Sequence, residues 1–518
     1  MRKSITLAAC LLLTVLAWQA LRVTNVHAAP DGSWLQWGRD AQHNGSSSIV
    51  GLVPTKQLAD ITYDPFVPQA QAESNGDLLS HYQVPLIDGD MVFIEFKTGT
   101  YTSCNPPGSM LPYPCGPDAW NGENWNERAY QWQNGSLVEK WNYWSDWKPE
   151  PNSNAGGRNE KTIGLHGWEP VFHAAAGGGY IYVPGGSGSV YKLRESDGTV
   201  VADYSPFGGY TNVFVSSPLT LDAAGNLYYN VLALDNEFPW TAEPRGAWLV
   251  KIAPDGTITK ATYASLVPDA ITMCVGGQVP CGDQRPGINV APALSPDGST
   301  VYTVSRGHFI LWSVYLIAAN TKDLSPKWDT YLFGKIKPGS AVYVQDQGSS
   351  SPAVAPDGSI LFGTPGGSSG GGFMMKFSPA GTYLASFNFG WDSTPAVYAH
   401  DATYSVILKD NLYGSNGPYF ITELNADMVP QWKFVNNTID ANHPHGYEWC
   451  VNAPAVDANG TVYANSEDGN VYVIDKTGKL KGMIFLKSAI GAAYTPVAIG
   501  PDGKIYAEND GDLFVLGN

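Results

Sequence analysis

The apolar positions of the chain fall in short alternating runs separated by turn residues, not at helical spacing. One phrase recurs: a small or polar residue, a proline, two or three apolar residues, a tight turn, then a β-branched and aromatic run. It appears at Val84-Pro85 with Asp88-Gly89, Glu169-Pro170, Ser217-Pro218 closing at Gly225, and Ala291-Pro292 with Asp297-Gly298. It returns at Ser351-Pro352 with Asp357-Gly358, Thr394-Pro395, Ala453-Pro454 with Asn459-Gly460, and Thr495-Pro496 with Asp502-Gly503. Each copy predicts a strand, a hairpin turn and a second strand. Eight copies, about 42 to 85 residues apart, are the pattern of a repeat architecture whose loops have lengthened unevenly.

A second hairpin follows most copies, as in Val190 to Leu193 turning at Asp197-Gly198, Trp248 to Ile252 at Asp255-Gly256, and Val471 to Asp475 at Thr477-Gly478. No amphipathic helix of useful length lies between them. Four antiparallel strands repeated eight times predict an all-β fold, a single eight-bladed β-propeller of four-stranded blades that bury their faces only against one another. After Thr495-Pro496 there is room for about three strands, so the last blade needs an outer strand from elsewhere. An N-terminal strand is expected to close it, and the segment from Trp34 to Trp37 is the candidate.

That segment, Trp34-Leu35-Gln36-Trp37-Gly38-Arg39-Asp40 continuing through His43 to Gly45, resembles the opening strand of the PQQ-like propellers. These include quinoprotein alcohol dehydrogenases and the outer-membrane assembly lipoprotein of the Bam complex. Asp475-Lys476-Thr477-Gly478-Lys479 is similar to the family's Asp-x-x-Thr-Gly-Lys turn, one residue shorter, and Trp141, Trp328 and Trp432 stand where its blade-docking Trp falls. The resemblance implies the fold. For the dehydrogenases it also implies PQQ under a disulfide of adjacent cysteines, with a Glu/Asn/Asp set on calcium. No two cysteines are adjacent here, which puts PQQ in doubt and leaves the cofactor unknown.

Composition adds the compartment. Arg2 and Lys3, the apolar stretch from Ile5 to Leu21, and Val26-His27-Ala28 read as a secretory signal over residues 1–28, leaving 29–518 as the propeller. A lipoprotein reading through Cys10 is the minor alternative. The chain is expected to be exported, extracellular or periplasmic, monomeric, and without a transmembrane segment in its mature part. Without Arg2, Lys3 and Arg22 it carries 27 positive and 47 negative charges, a balance that repels nucleic acid. Cys104 with Cys115, and Cys274 with Cys281, read as loop disulfides, and Cys450 is left over.

The first-to-second and third-to-fourth strand turns are short, whereas length collects in the second-to-third loops and blade crossings. All of that length lies on one face, and one-sided elaboration marks a binding face. The residues entering each innermost strand should ring the channel mouth there: His81, Tyr82, His166, Glu169, Asn212, Arg285, Asn289, Asp346, Gln347, Asp392, His443, His445, Glu448, Asn452 and Tyr494. Polar groups converging on one concavity form the default site, although a propeller channel is polar in any case. His443, His445 and Glu448 also have the makings of a weak metal set, with solvated loop histidines as the plainer reading. Of the aromatic-rich span from Trp120 to Trp168, most Trp belong to the core; loop Trp such as Trp125 and Trp147 are candidates to stack on a ligand.

Three functions follow. The first is a non-catalytic platform for a protein or carbohydrate partner on the elaborated face, favoured by the lack of an assembled catalytic motif. The second is a polysaccharide lyase drawing a base from His166, His443, Tyr82 or Tyr494 and a cation from Arg158 or Arg285. The third is a PQQ dehydrogenase.

Overall fold

In the computed structural model each predicted pair of hairpins closes into one antiparallel sheet, and eight such sheets form the blades of a propeller. The structure describes residues 32–518 apart from 74–75, 77, 79, 103–121, 151–170, 237–241, 271–282, 346–347, 349, 366–370, 391–392, 412–416, 437, 450, 452 and 490–495. Blade 1 runs outward from Leu86–Asp88 to Ser136–Trp144, blade 2 from Ala175–Gly177 to Val200–Tyr204, and blade 3 from Val213–Val215 and Thr220–Leu221 to Ile258–Thr262. Blade 4 runs from Gln284–Pro286 and Ala293–Leu294 to Pro326–Tyr331, blade 5 from Ala353–Val354 to Tyr383–Asn388, blade 6 from Ala396–His400 to Pro430–Val435, and blade 7 from Ala455–Val456 to Leu480–Phe485. The innermost strands of blades 3 and 4 are split around Pro218 and Pro292, where a ladder donor is missing.

Burial follows position in the blade. Second strands such as Leu227–Ala233 and Thr300–Gly307 are buried along their whole length, because a neighbouring blade lies on each face. Outermost strands such as Tyr383–Asn388 are exposed or half-buried.

Blade 8 takes Val497–Ile499, Ile505–Asn509 and Asp512–Gly517 from the C-terminal end and receives its outermost strand from the N-terminal part of the chain, as predicted. The strand is Lys56–Thr62, however, paired from Lys56 with Gly517 to Thr62 with Asp512. The expectation that Trp34 to Trp37 supplies it is corrected. An outermost strand is half exposed, as Lys56–Thr62 is, and it would leave Trp34 and Trp37 in water; both are buried.

The segment around them takes another place. Residues 34–52 visit the innermost hairpins of all eight blades in order. Trp34 exchanges two backbone hydrogen bonds with Ile87 of blade 1, and Ala176 N–H of blade 2 donates to the Leu35 carbonyl. The Gln36 amide takes Leu221 of blade 3 from both sides. Leu294, Val354, Val397 and Val456 of blades 4 to 7 donate to the carbonyls of Ala41, Gln42, Asn44 and Gly45 at 2.6 to 2.9 Å, and Leu52 N–H reaches Gly503 of blade 8. Gly45 is required here: its φ is +61° and a Cβ would meet the Pro454 carbonyl at 3.0 Å. We call this segment the clasp.

Each docking Trp sits on the outermost strand of one blade against the third turn of the next. A Cβ on Gly198, Gly381 or Gly478 would lie 2.7 to 2.9 Å from the ring of Trp141, Trp328 or Trp432, and all three glycines have φ near +70 to +80°. Trp141 Nε1–H donates to the Glu195 carbonyl and Trp328 Nε1–H to that of Pro379.

Candidate functional site

The two faces of the ring differ as the turn lengths require. First-to-second and third-to-fourth turns span two to five residues each. The connections of the other face run from Gly99 to Glu123, Trp144 to Ala175, Thr262 to Gln284, Tyr331 to Ala353 and Val435 to Ala455. Among the described residues the two short α-helices, Val67–Glu73 and Tyr263–Leu266, also stand on that side.

The clasp lies at the plain face and its side chains fill the axis. Trp37 packs against Ala291 of blade 4 and Ala453 of blade 7, and its ring meets His173, which enters blade 2, edge-on at 5.8 Å. His43 Nδ1 bonds the Pro352 carbonyl of blade 5 at 2.7 Å, while Nε2 lies 3.5 Å from Thr220 Oγ1 of blade 3. Burial holds His43 neutral down to about pH 4 and His173 to about pH 3. His173 accordingly donates through Nδ1 to the Ala174 carbonyl and accepts from Val84 N–H at Nε2.

Of the residues expected to ring the mouth, Asn289 instead ties blade to blade, and Gln83, Ser351 and Thr394 near the repeat prolines, outside that set, do the same. Gln83 Oε1 accepts from Ala174 N–H and its Nε2 donates to Glu127; Asn289 Oδ1 accepts from Val171 N–H; Ser351 Oγ accepts from Ala291 N–H; Thr394 Oγ1 accepts from Ser351 N–H. Burial pushes the Glu127 carboxyl up to about 8.

Of the single candidates, His81 is buried, and Tyr82 is buried with its hydroxyl donating to Asp64 at 2.8 Å. Asp64 pairs with buried Lys97 at 3.0 Å, and Glu123 lies 3.9 Å beyond. Arg285 is buried, its Nε donating to His308 Nδ1 and its Nη1 to the Pro286 carbonyl; it stands opposite Arg306, also buried, across the strand pair. Asn212 Nδ2 donates to the Asp235 carbonyl. His443 stacks on Tyr447 at 4.0 Å and shares Asp440 with it, Nδ1 on one carboxylate oxygen at 3.0 Å and the Tyr447 hydroxyl on the other at 2.5 Å. These contacts and the His443 backbone hold the Asp440 carboxyl down at about 2. His445 is exposed, while Glu448 is largely buried, which raises its carboxyl, with Asn411 Nδ2 at 3.5 Å. Among the described residues no three His, Cys, Asp or Glu side chains come together to hold a metal ion. His166, Glu169, Asp346, Gln347, Asp392, Asn452, Tyr494, Arg158, Trp120, Trp168 and the cysteines Cys104, Cys115, Cys274, Cys281 and Cys450 lie outside the described residues.

Trp125 and Trp147 are a second correction. Both are fully buried, packed edge to face at 5.2 Å, with Trp147 Nε1–H donating to the Val215 carbonyl. The exposed aromatics are others: Trp144 at 57%, Tyr210 at 65%, Phe309 at 37% and Phe485 at 58%. Trp144 and Phe485 end the outermost strands of blades 1 and 7, Tyr210 precedes blade 3, and Phe309 follows the second strand of blade 4. Each of these positions is at the elaborated face. Sequence spacing alone does not separate Trp144 from Trp141, because only the facing blade shows which side of a strand is covered.

No protein-family model and no curated protein sequence matches the chain. Solved structures do. A europium-containing methanol dehydrogenase superposes with a TM-score of 0.55 at 11% identity, over 92% of this chain and 89% of its own. The quinohemoprotein alcohol dehydrogenase from Comamonas testosteroni gives 0.55 and 11%, over 95% and 82%. BamB from Moraxella catarrhalis is more distant, at 0.39 and 14%, over 82% and 98%. At such identity the likeness speaks for the fold alone, an eight-bladed β-propeller. No two cysteines of the chain are adjacent, so the disulfide that the resemblance implies over PQQ has no counterpart here.

Proposed function

We propose that the chain is an exported binding platform whose elaborated face takes an extended protein or carbohydrate partner. The observation that supports this is the distribution of exposed aromatic side chains. Trp144, Tyr210, Phe309 and Phe485 belong to blades 1, 3, 4 and 7 and stand at one face of the ring. Exposed aromatics supply large contact area at low entropic cost, and they are the usual anchors of an interface. Their spread around the rim suits a broad partner better than a small ligand. The clasp supports the same side, since Trp37 and His43 occupy the axis at the opposite face.

Export rests on the N-terminal signal pattern; among the described residues no helix is long and apolar enough to cross a membrane. The test is capture from the exported fraction by immobilised wild-type chain and by Trp144→Ala/Phe309→Ala. The double variant should lose most of the captured protein or polysaccharide at an unchanged melting temperature. Equal capture by both chains would turn attention from the rim to the channel.

A further inference from the structure

The outermost strand of a blade presents backbone donors and acceptors to the outside of the ring, and edges of this kind are normally guarded by charge or proline. Pro326 and Pro430 open the outermost strands of blades 4 and 6, and acidic side chains stand in those of blades 1, 2, 4 and 8. Blades 3, 5 and 7 have neither. Of these, blade 3 exposes no large apolar side chain in that strand and blade 5 only Leu384, whereas blade 7 exposes Leu480, Met483 and Phe485 from a strand of six residues.

That strand, Leu480–Phe485, pairs only with the third strand of its own blade. Leu486 N–H, just beyond it, donates to the Gly469 carbonyl, and the direction of hydrogen bonding alternates along an antiparallel pair. The N–H and C=O of Met483 and Phe485, opposite Tyr472 and Asn470, therefore point away from the sheet. Both side chains lie on the same side of it as Tyr472. The Tyr472 hydroxyl is 2.9 Å from Thr438 Oγ1, which brings exposed Ile439 to that side as well.

Charge narrows what can pair with this edge. Residues 476–487 include Lys476, Lys479, Lys481 and Lys487 and no acidic residue, on a chain whose net charge is −17. Lys487 is paired with Asp512. Lys476, Lys479 and Lys481 are exposed and form no ion pair among the described residues; Lys481 Nζ reaches only Thr461 Oγ1, at 3.4 Å. The neighbouring Asp475 is taken up by its own turn, accepting from Thr477 and Lys479 N–H. At contact range the local lysines outweigh distant acids, because salt screens charges beyond about 8–10 Å. A second copy of the chain would bring the same lysines and the same net charge to the contact, and is disfavoured. The occupant that fits is an extended segment with apolar residues at alternate positions beside Met483 and Phe485 and acidic residues beside the lysines. The strand runs from the lysines toward the elaborated face, so in an antiparallel partner the acidic residues follow the apolar ones.

We infer that the outer edge of blade 7 takes up an extended acidic peptide as a fifth strand. This edge lies on the circumference of the ring, and the inference does not depend on the partner proposed for the elaborated face.

Fluorescence anisotropy with the full chain tests it. The probe is a fluorescein-labelled Thr-Val-Thr-Ile-Thr-Glu-Asp-Glu peptide, set against a second peptide in which Lys replaces the three acids. The acidic peptide should bind saturably and the lysine peptide at least fivefold more weakly. Met483→Pro removes one outward N–H and no ladder bond, a place where a sheet edge accepts proline. Met483→Glu sets a like charge against the peptide and leaves the backbone intact. Each should weaken binding at least fivefold at an unchanged melting temperature. Trp144→Ala/Phe309→Ala should leave binding unchanged, so the rim proposal can fail without this one. No saturable binding, equal binding of the two peptides, or binding that survives both Met483 variants would each overturn the assignment. Sedimentation as a dimer that Met483→Glu dissolves would give the edge to a second copy and overturn it equally.

Discussion

At the plain face all eight blades are tied to one stretch of chain and their strands turn within two to five residues; the elaborated face carries the long connections, such as those from Trp144 to Ala175 and from Thr262 to Gln284, and aromatic rings stand in water there. Both ends belong to the same strands. The contrast shows how a ring of marginal blades supports variation: one end is fixed by the clasp along its whole circuit, so the other end is free to carry insertions. Stability should therefore depend on the first face and recognition on the second.

Deleting residues 33–51 while keeping Lys56–Thr62 should break this division most severely. Each clasp hydrogen bond contributes about 0.5–1.5 kcal/mol, and together they rival the roughly 5–15 kcal/mol that holds a domain folded. No cooperative thermal melt is expected, and a melt within a few degrees of wild type would reduce the clasp to ornament. Trp37→Ala empties the axis and should cost about 3–5 kcal/mol by urea titration; a cost under about 1 kcal/mol would show that the ring does not depend on a filled axis.

Buried titratable groups make the stability of the ring pH-sensitive. Glu127 keeps its proton in the folded chain to about pH 8, whereas the unfolded chain releases it in the ordinary carboxylate range. Between those limits the native state binds more protons, so stability falls as pH rises. His43 and His173 act in the opposite sense: the unfolded chain takes up protons below about pH 6.5, the folded chain only near 4 and 3, so stability falls as pH drops. Above pH 6.5 only the buried carboxyls contribute, Glu195 and Glu508 sharing the slope with Glu127. Glu127→Gln should flatten it by at most a few kcal/mol, at about 1.4 kcal/mol per pH unit, read as melting temperature from pH 6.5 to 8.5; an unchanged slope would place the effect elsewhere. Gly198→Ala drives a Cβ to 2.8 Å from the Trp141 ring at a φ of +69° and should cost about 1–3 kcal/mol, restored in part by Trp141→Leu. Trp144→Ala should change stability least, within about 0.5 kcal/mol, and a larger loss would mean that the rim is structural.

The blades were legible because a buried four-stranded repeat writes its turns in Gly, Asp and Asn and its docking contacts in Trp: Trp141, Trp328 and Trp432 stand where the pattern puts them. The clasp was legible as a motif but not as a place. Trp34 to Trp37 alternate as an edge strand does, and only the half-exposed Lys56–Thr62 shows what the outer edge of blade 8 accepts. The polar residues entering the innermost strands read as channel lining; the bonds by which Asn289, and with it Gln83, Ser351 and Thr394, tie blade to blade are long-range and leave no trace in local spacing. Trp125, Trp144 and Trp147 differ by which blade covers them, a property of the ring and not of the strand.

The clasp's order along the ring also has a mechanical side. Its hydrogen bonds to successive blades lie in series along a single strand, not side by side. A pull applied at Ser33 would load blade 1 first and pass to the next blade only after those bonds had gone. The segment would peel away in small steps at low force, as a zipper opens. The outermost strand of blade 8, held along its full length against Asp512–Gly517, would give way last.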